Sequence, residues 1–271
     1  MLAPLEDYSD SAFRTLCFKH GADLTFTEMA RVEGIVRKNK PTLAKTLCHD
    51  STPVQIQLLA GKEDHLEQYL SSFKTFEGFK GFNLNLSCPS PNVMKQGRGS
   101  AMVKRISKTN RLTSIIHSHN FPVSLKIRLG TNEYEKKHKV YLNSIREVDA
   151  DFFIVHAKTA SQRSDEPTDD SIYAECLDIA KQKGVNIIAN GGITTSSKVK
   201  ELLKVGVNGV MIGRAAMSNP TIFNQLKNEL NFNSPKKEVL SISQLRQEYL
   251  DIANKFSSAA KYRENLLKEM R

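Results

Sequence analysis

Residues 81–100 read GFNLNLSCPSPNVMKQGRGS. The first six form an apolar run that is typical of a short buried strand, and a loop with a cysteine, prolines, a lysine and glycines follows at once. Parallel α/β proteins place their functional groups where strands end. Cys88 is therefore a candidate proton donor, and the alternative is that it packs as a small apolar side chain, as free cysteines often do.

Similar apolar, β-branched runs recur along the chain and alternate with amphipathic stretches. The predicted strands are Leu2–Ala3, Leu24–Thr27, Val54–Leu58, Phe82–Leu86, Val123–Ile127, Phe152–Val155, Asn186–Ala189 and Gly209–Ile212. The predicted helices are Asp10–Lys19, Glu63–Phe73, Val103–His117, Tyr134–Val148, Ser171–Lys183 and Ser196–Val205. Repeated strand–helix units with buried strands predict an α/β protein, a closed (β/α)8 TIM barrel over residues 1–232.

The pattern changes after Phe232. Residues 233–237, NSPKK, are typical of a linker, and residues 241–271 have a helical pattern without a strand. Ser243 is the predicted helix cap. The sequence thus predicts a second region over residues 233–271, a linker followed by a short helical segment.

Composition narrows the class of protein. The chain has 271 residues and a formal net charge of +10, which favours a polyanionic partner such as nucleic acid over a neutral one, although solvated lysines are the alternative. No apolar run approaches the ~20 residues of a membrane span, and no leader is visible, so we expect a cytoplasmic protein without a membrane partner. The four cysteines are scattered, which indicates neither a metal site nor a disulfide scaffold.

The predicted strands end in groups that can do chemistry. In chain order these are Pro4, Glu28, Gln57, Asn85 with Cys88, Lys126, His156, Asn190 and Gly213. Strand ends of a barrel share one pocket, so we expect these groups to meet. His156 alone fits a structural role as well as a functional one. Lys126 is different, because an ammonium within an apolar run requires an anionic ligand group nearby.

Glycine-bearing turns follow the seventh and eighth predicted strands. They are Asn190-Gly191-Gly192 and Gly213-Arg214. Either one alone is compatible with an ordinary tight turn. Together they occupy the position where barrels bind phosphate through backbone N–H groups, and Arg214 adds a cation. The pair predicts a phosphorylated cofactor across the barrel mouth.

Taken together, the motifs resemble those of the tRNA-dihydrouridine synthases. The resemblance covers residues 2 to 223 and rests on Ala3-Pro4-Leu5, Asp10 with Phe13-Arg14, Thr27-Glu28-Met29, Gln55-Ile56-Gln57-Leu58, Asn85 through Cys88-Pro89, Val93-Met94-Lys95-x-Gly97-x-Gly99-Ser100, Lys126-Ile127-Arg128, Val155-His156, Ile188-Ala189-Asn190-Gly191 and Met211-Ile212-Gly213-Arg214. The segment from Cys88-Pro89 to Ser100 is the most specific of these, and the others are shared among FMN barrels.

The resemblance implies an FMN enzyme that uses NADPH to reduce uridine in tRNA. It implies that Cys88 is the catalytic acid. The implied cofactor-binding residues are Pro4 and Leu5 beside the flavin, Gln57, Asn85 and Lys126 at the ring, His156, Asn190, Gly191 and Gly192 along the ribityl phosphate, and Gly213 and Arg214 at the phosphate. It also implies that the helical region 233–271 is a shortened tRNA-binding domain. We further expect a monomer that uses no metal.

The chemistry supports that role of Cys88 independently. Hydride delivered to C6 of uracil leaves negative charge at C5 and O4, so an acid must protonate C5. Thiols are largely protonated at neutral pH and can do so. Two alternatives remain open at this point. One is an FMN oxidoreductase of the dihydroorotate dehydrogenase kind that acts on a small pyrimidine, and the other is a barrel that binds RNA without catalysis.

Overall fold

The computed structural model describes residues 1–232 and 240–271. The strands are β1 (Thr25–Phe26), β2 (Ala30–Arg31), β3 (Val54–Leu59), β4 (Phe79–Leu86), β5 (Val123–Arg128), β6 (Phe152–His156), β7 (Asn186–Asn190) and β8 (Gly209–Met211). All described pairings are parallel, in the order β1-β3-β4-β5-β6-β7-β8. β1 and β2 pair with opposite ends of β3 and so share one position in the sheet.

Residues 1–3 close the sheet between β1 and β8. Leu2 N donates to Leu24 O at 2.9 Å, and Ala3 N donates to Ile212 O at 2.8 Å. Leu2 also forms a parallel bridge with Ile212. Eight positions therefore complete a ring, and the predicted fold class, an α/β TIM barrel, is confirmed.

Helices surround the ring. They are α1 (Ser11–Lys19), α2 (Val32–Val36), α3 (Lys40–Ala44), α4 (Glu63–Ser72), α5 (Pro91–Lys95), α6 (Ile106–Ser118), α7 (Glu133–Lys137), α8 (Val140–Glu147), α9 (Ile172–Lys183), α10 (Ser196–Val205), α11 (Arg214–Ser218), α12 (Ile222–Glu229), α13 (Ile242–Lys255) and α14 (Ala260–Glu269), with a 3₁₀ turn at Gly99–Met102. In the described residues, no helix is both long and apolar enough to cross a bilayer.

Two apolar regions hold the barrel. The larger one lies between strands and helices, and a small one includes Phe26, Ile154, Ile188 and Met211. These four alternate with outward-facing neighbours, as side chains in strands do. The small cluster therefore fills only part of the barrel interior, and buried polar side chains such as Gln57, Asn83 and Lys126 stand on the adjacent strands.

Three sequence expectations about helices were wrong. The predicted helix Tyr134–Val148 is two helices, because Lys139 between them has a φ of 52°, in the left-handed region. The predicted cap Ser243 lies inside α13, whose capping box is formed by Ser241 and Gln244. The single C-terminal helix is also interrupted, between Lys255 and Ala260. The predicted linker 233–237 lies outside the described residues.

The described part of the C-terminal region packs on the barrel. Leu245, Tyr249 and Leu266 belong to the same apolar cluster as Phe13 and Leu16 of α1. The boundary at residue 232 stays a prediction. The shared core nevertheless means that α13 and α14 add to the stability of the barrel, since each buried side chain of this size contributes about 1.5–3 kcal/mol.

Candidate active site

A ladder of hydrogen-bonded polar side chains runs up the inside of the barrel. Ser124 Oγ donates to Gln55 Oε1 at 2.5 Å, and Asn83 Nδ2 donates to Ser124 Oγ at 2.7 Å. Gln57 Nε2 donates to Asn83 Oδ1, and Asn85 Nδ2 donates to Gln57 Oε1, both at 2.8 Å. All five residues are buried. Buried amides need such partners, so the ladder fixes the orientation of Gln57 and Asn85 at its upper end.

The sequence prediction named only the top of this ladder. Gln55, Asn83 and Ser124 were missed, although their spacing carried a signal. Gln55 and Asn83 each stand two residues before a predicted site residue, and residues i and i+2 of a strand share one face.

Lys126 lies next to Asn85 in the sheet. The two are register partners of β4 and β5. Lys126 Nζ donates to Asn190 Oδ1 at 2.8 Å, and Asn190 Nδ2 donates to Met211 O at 2.9 Å. Burial, together with the neighbouring Arg128 charge, lowers the pKa of Lys126 to about 7. Among residues 1–232 and 240–271, no carboxylate forms an ion pair with this ammonium.

The loop that carries Cys88 is fixed by backbone hydrogen bonds. Asn85 Oδ1 accepts from Ser87 N at 3.0 Å and from Cys88 N at 2.9 Å. Ser100 N donates to Cys88 O at 3.0 Å, and Arg128 Nε donates to Ser87 O at 2.9 Å. Cys88 is half-buried. Asn85 thus connects the thiol loop with the polar ladder, which places Cys88 at the same end of the barrel as Lys126.

His156 ends β6 among cations. Its pKa is lowered to about 2 by burial and by the positive charges of Lys126, Arg128, Lys158 and Arg214. The ring is therefore neutral at physiological pH. Cations gathered around a neutral imidazole form a site that favours an anion.

Three of those cations hold the loop that follows β6. Lys158 Nζ donates to Ser164 O at 3.0 Å, and Arg214 Nη2 donates to the same oxygen at 2.8 Å. Arg128 Nη1 donates to Thr159 O at 2.7 Å. Arg214 was predicted as a site residue, whereas Arg128 and Lys158 were assigned no role.

The glycine turns leave room for a ligand backbone. Gly191 has a φ of +117°, and a Cβ there would lie 2.7 Å from Thr168 Cγ2 and 2.8 Å from His156 Cδ2. Gly192 has a φ of +64° and open space around it, with Thr168 Oγ1 at 3.7 Å. Both residues adopt a conformation that favours glycine, so the turn can bring its N–H groups close to a phosphate.

Pro4 and Leu5 follow the segment that closes the sheet. Leu5 N donates to Ser9 Oγ at 2.9 Å, and Leu5 Cδ2 would lie 3.5 Å from a Cβ on Gly213. Pro4 is half-buried. The structure therefore brings Leu5 beside the Gly213-Arg214 turn, as expected for one wall of a shared pocket.

Helix α14 is attached to the rim of the barrel, by which we mean the end that carries Cys88, Lys126, His156 and Asn190. Tyr262 Oη donates to Glu28 Oε2 at 2.5 Å, and Asp7 N donates to Glu28 Oε1 at 2.6 Å. Lys261 Nζ donates to Asp7 Oδ1 at 2.7 Å. Burial raises the pKa of Glu28. Glu6, Asp7 and Glu28 are close enough to ligate a cation, but these contacts and Lys45 engage their oxygens within the chain.

A cavity of about 640 Å³ lies at the opposite end of the barrel. It is lined by Met1, Val210 and Phe223 among other mostly apolar residues. Gly21, Asp23 and Asn208, which also line it, lie in the loops before β1 and β8. None of the predicted site residues lines this cavity, so it does not overlap the candidate site.

The rim fits a phosphorylated ring cofactor such as FMN. A buried ammonium without an acidic partner, the cation cluster around His156 and the glycine turn are complementary to a group that carries a phosphate and an electron-rich ring. The amides of Gln57 and Asn85 offer directional hydrogen bonds at the other side of the mouth. Among the predicted site residues, hydrogen bonds join Asn85 to Gln57 and to Cys88. A further hydrogen bond joins Lys126 to Asn190.

The chain is similar to known proteins along most of its length. The family model for dihydrouridine synthase (Dus) matches residues 1–270. A probable tRNA-dihydrouridine synthase of Helicobacter pylori is 32% identical over 235 residues, which cover 84% of this chain and 69% of that protein. tRNA-dihydrouridine synthase B of Pseudomonas putida is 26% identical, with 94% of this chain and 76% of that protein covered.

Among solved structures, morphinone reductase in complex with tetrahydroNAD aligns with a TM-score of 0.51 at 10% identity, covering 87% of this chain and 88% of that chain. That likeness concerns the fold alone. The family match extends over both the barrel and the described C-terminal helices, and it confirms the resemblance predicted from the motifs. The chain therefore belongs to the dihydrouridine synthase family.

Proposed function

We propose that this protein is a tRNA-dihydrouridine synthase that binds FMN, takes reducing equivalents from NADPH and reduces the C5–C6 bond of uridines in tRNA. Family membership makes it a flavin oxidoreductase that depends on NAD(P)H, and the relatives named above favour tRNA over a free pyrimidine as substrate. We propose FMN as the flavin and NADPH as the reductant. One observation carries the mechanism: Asn85 holds the Cys88 loop and the cofactor-facing ladder at once.

When bound, FMN supplies the two-electron chemistry that links NADPH to uracil. Gln57 and Asn85 would bind the ring through amide hydrogen bonds, and Lys126 would compensate its negative charge. The Gly191 and Gly213 turns, with Arg214, would hold the phosphate. Pro4 and Leu5 would contact the ring, and His156, Asn190 and Gly192 would line the ribityl chain.

Cys88 supplies the proton. Its Sγ holds the hydrogen that is transferred to C5 of the base when charge develops there. In the flavin-free protein, burial and the neighbouring cations lower the pKa of His156 to about 2, which favours Cys88 over His156 as the acid. The uridine must leave its stack to reach the rim, which costs a few kcal/mol.

The C-terminal helices are proposed to take part in tRNA binding. α14 contacts the rim through Tyr262 and Lys261, so RNA that enters the mouth passes beside it. Lys261 lies at the surface there. Region 233–271 would then serve as both a support of the barrel and an edge of the RNA surface.

The first prediction concerns Cys88→Ala. The variant should keep its flavin absorbance and lose at least ~100-fold in dihydrouridine formation, because positioned acids contribute factors of about 10²–10⁴. The measurement is mass spectrometry of an unmodified tRNA after reaction. Cys48→Ala is the matched control, since Cys48 is also half-buried but contacts Arg14 outside the rim. Full activity of Cys88→Ala would remove Cys88 from the mechanism.

A further inference from the structure

Arg98 lies in the loop that carries Cys88 and forms a two-pronged ion pair with Glu33. Its Nη2 is 2.6 Å from Glu33 Oε1, and its Nη1 donates to Glu33 Oε2 at 2.8 Å. The two side chains are only 15% and 16% exposed. Only the Nη1 contact has the geometry of a hydrogen bond, and Oε1 is held by its short charge contact with Nη2. A partly buried, charge-assisted bond of this kind is stronger than an ordinary surface pair.

The backbone carries this anchor to the thiol. Arg98 is followed by Gly99, where a Cβ would lie 2.6 Å from Cys88 O and 3.0 Å from Cys88 Cβ. Ser100 N then donates to Cys88 O at 3.0 Å. A displacement of the guanidinium would therefore move the segment that contacts Cys88 directly.

Gly61, in the loop after β3, forms the seat of the guanidinium. A Cβ on Gly61 would lie 2.2 Å from Arg98 Nε and 2.3 Å from Arg98 Cζ. The φ of Gly61 lies outside the left-handed region, so glycine is needed here for close approach and not for its backbone conformation. Helix α2 and the loops after β3 and β4 thus meet at the side chain of Arg98.

We propose that the Glu33–Arg98 ion pair, seated on Gly61, is a positioning device that fixes the Cys88 loop for proton transfer. The inference rests on the proposed function of Cys88. Arg98 could instead bind an RNA phosphate, but its Nη1 donates to Glu33 Oε2 and its Nη2 lies 2.6 Å from Oε1 of the same carboxylate. That arrangement favours positioning.

The test uses the flavin-loaded protein and the variants Arg98→Gln, Glu33→Gln and Gly61→Ala. Each should lower kcat on tRNA roughly tenfold or more, because small misplacements of a reacting group are costly, and should leave KM within about twofold. Arg98→Gln combined with Glu33→Gln should be no worse than either alone, since the two act as a unit. Glu33→Arg combined with Arg98→Glu should recover part of kcat.

A second readout does not depend on turnover. Alkylation of Cys88 by iodoacetamide, followed on its peptide by mass spectrometry, should be severalfold faster than in the parent in the three single variants. In the charge-swapped double variant, the rate should return towards that of the parent. Arg111→Gln is the matched control, because Arg111 pairs with Glu63 at 2.6 Å in an exposed position. It removes the same charge and should alter neither readout.

The outcomes separate the possibilities. If Arg98→Gln raises KM while kcat and Cys88 alkylation stay as in the parent, Arg98 binds RNA and the positioning role is refuted. Unchanged alkylation in the charge-preserving variant Gly61→Ala would refute it as well. If alkylation responds as expected while the parent protein forms no dihydrouridine, the proposed function fails and the anchoring of Cys88 stands.

Discussion

Lys126 is the residue whose burial is hardest to explain without a ligand. Its ammonium is buried and has one side-chain acceptor, Asn190 Oδ1. Burying an ammonium without an anion costs several kcal/mol, and the lowered pKa of about 7 expresses this cost. An anionic group bound at the rim would relieve this cost, so the burial of Lys126 favours binding of an anionic cofactor.

The corresponding prediction is Lys126→Met in flavin-free protein. The folded pKa, about 7, is below the ordinary value of 10.5, so the unfolded state binds more protons between these values and stability increases with pH across this interval. The variant should therefore be more stable than the parent by about 2 kcal/mol or more near pH 6, with the difference shrinking towards pH 10. Thermal unfolding at several pH values measures this difference.

Lys137→Met is the control for that experiment, because Lys137 is exposed and its loss removes the same charge. It should show no comparable dependence on pH. A constant difference between Lys126→Met and the parent across the range would contradict the desolvation argument. The same variant should also lose flavin, which absorbance of the purified protein reports.

Sequence reasoning worked best for residues whose position is costly. Lys126 could be predicted from sequence alone, because an ammonium in an apolar run demands an explanation. Arg128 could not, since arginine at a strand end is unremarkable until its donors to Ser87 O and Thr159 O are seen. Arg98 and Gly61 were also unpredictable, because their contact joins loops 37 positions apart in the chain.

At the scale of elements, the turn after β7 combines two properties of glycine. Gly191 needs both its left-handed backbone and the space that a side chain would take from Thr168 and His156. Gly206 has nearly the same φ, +115°, but a Cβ there would have only Leu177 Cδ1 within 4 Å, at 3.6 Å. Substitution of Gly206 therefore introduces backbone strain alone, whereas substitution of Gly191 introduces backbone strain and steric crowding at the site.

Gly191→Ala should weaken flavin binding about tenfold or more, whereas Gly206→Ala should only lower stability by about 1–2 kcal/mol, the cost of left-handed backbone in a residue with a Cβ. Flavin titration and thermal unfolding of both variants distinguish the two effects. Equal flavin affinity of Gly191→Ala and the parent would show that this turn does not contact the phosphate.

Helix boundaries were predictable where side chains and backbone agree. α10 begins and ends as expected, with Thr195 as its cap and Gly206 after its last turn. The break between α7 and α8 was not, because Lys139 adopts a φ of 52° that its residue type disfavours. Lys139 also pairs with Glu175 of α9 at the surface, a tertiary contact that local sequence does not reveal.

At the scale of the whole molecule, the barrel and the C-terminal helices share one apolar core, and a polar contact joins them as well. His20 Nε2 lies 2.8 Å from Glu248 Oε2, between α1 and α13. Periodicity predicted the helical character of this region but not its seat on the barrel, since pairing of distant faces is decided by shape. The rim and the proposed tRNA surface are consequently parts of one body.

The charge of the whole chain leads to the last prediction. Lys and Arg exceed Asp and Glu by 39 to 29, so internal pairing cannot neutralise the surface. If these lysines and arginines contact RNA phosphates, the affinity for tRNA should fall at least about tenfold between 50 and 200 mM salt. A fall of this size corresponds to roughly two phosphate contacts whose counterions are released on binding. Filter binding of tRNA over that range measures it. Flavin absorbance in the same samples is the control for unfolding, and it should stay constant because the cofactor site is largely buried. A salt-independent tRNA affinity would mean that shape and base contacts, and not the net positive charge, provide the binding.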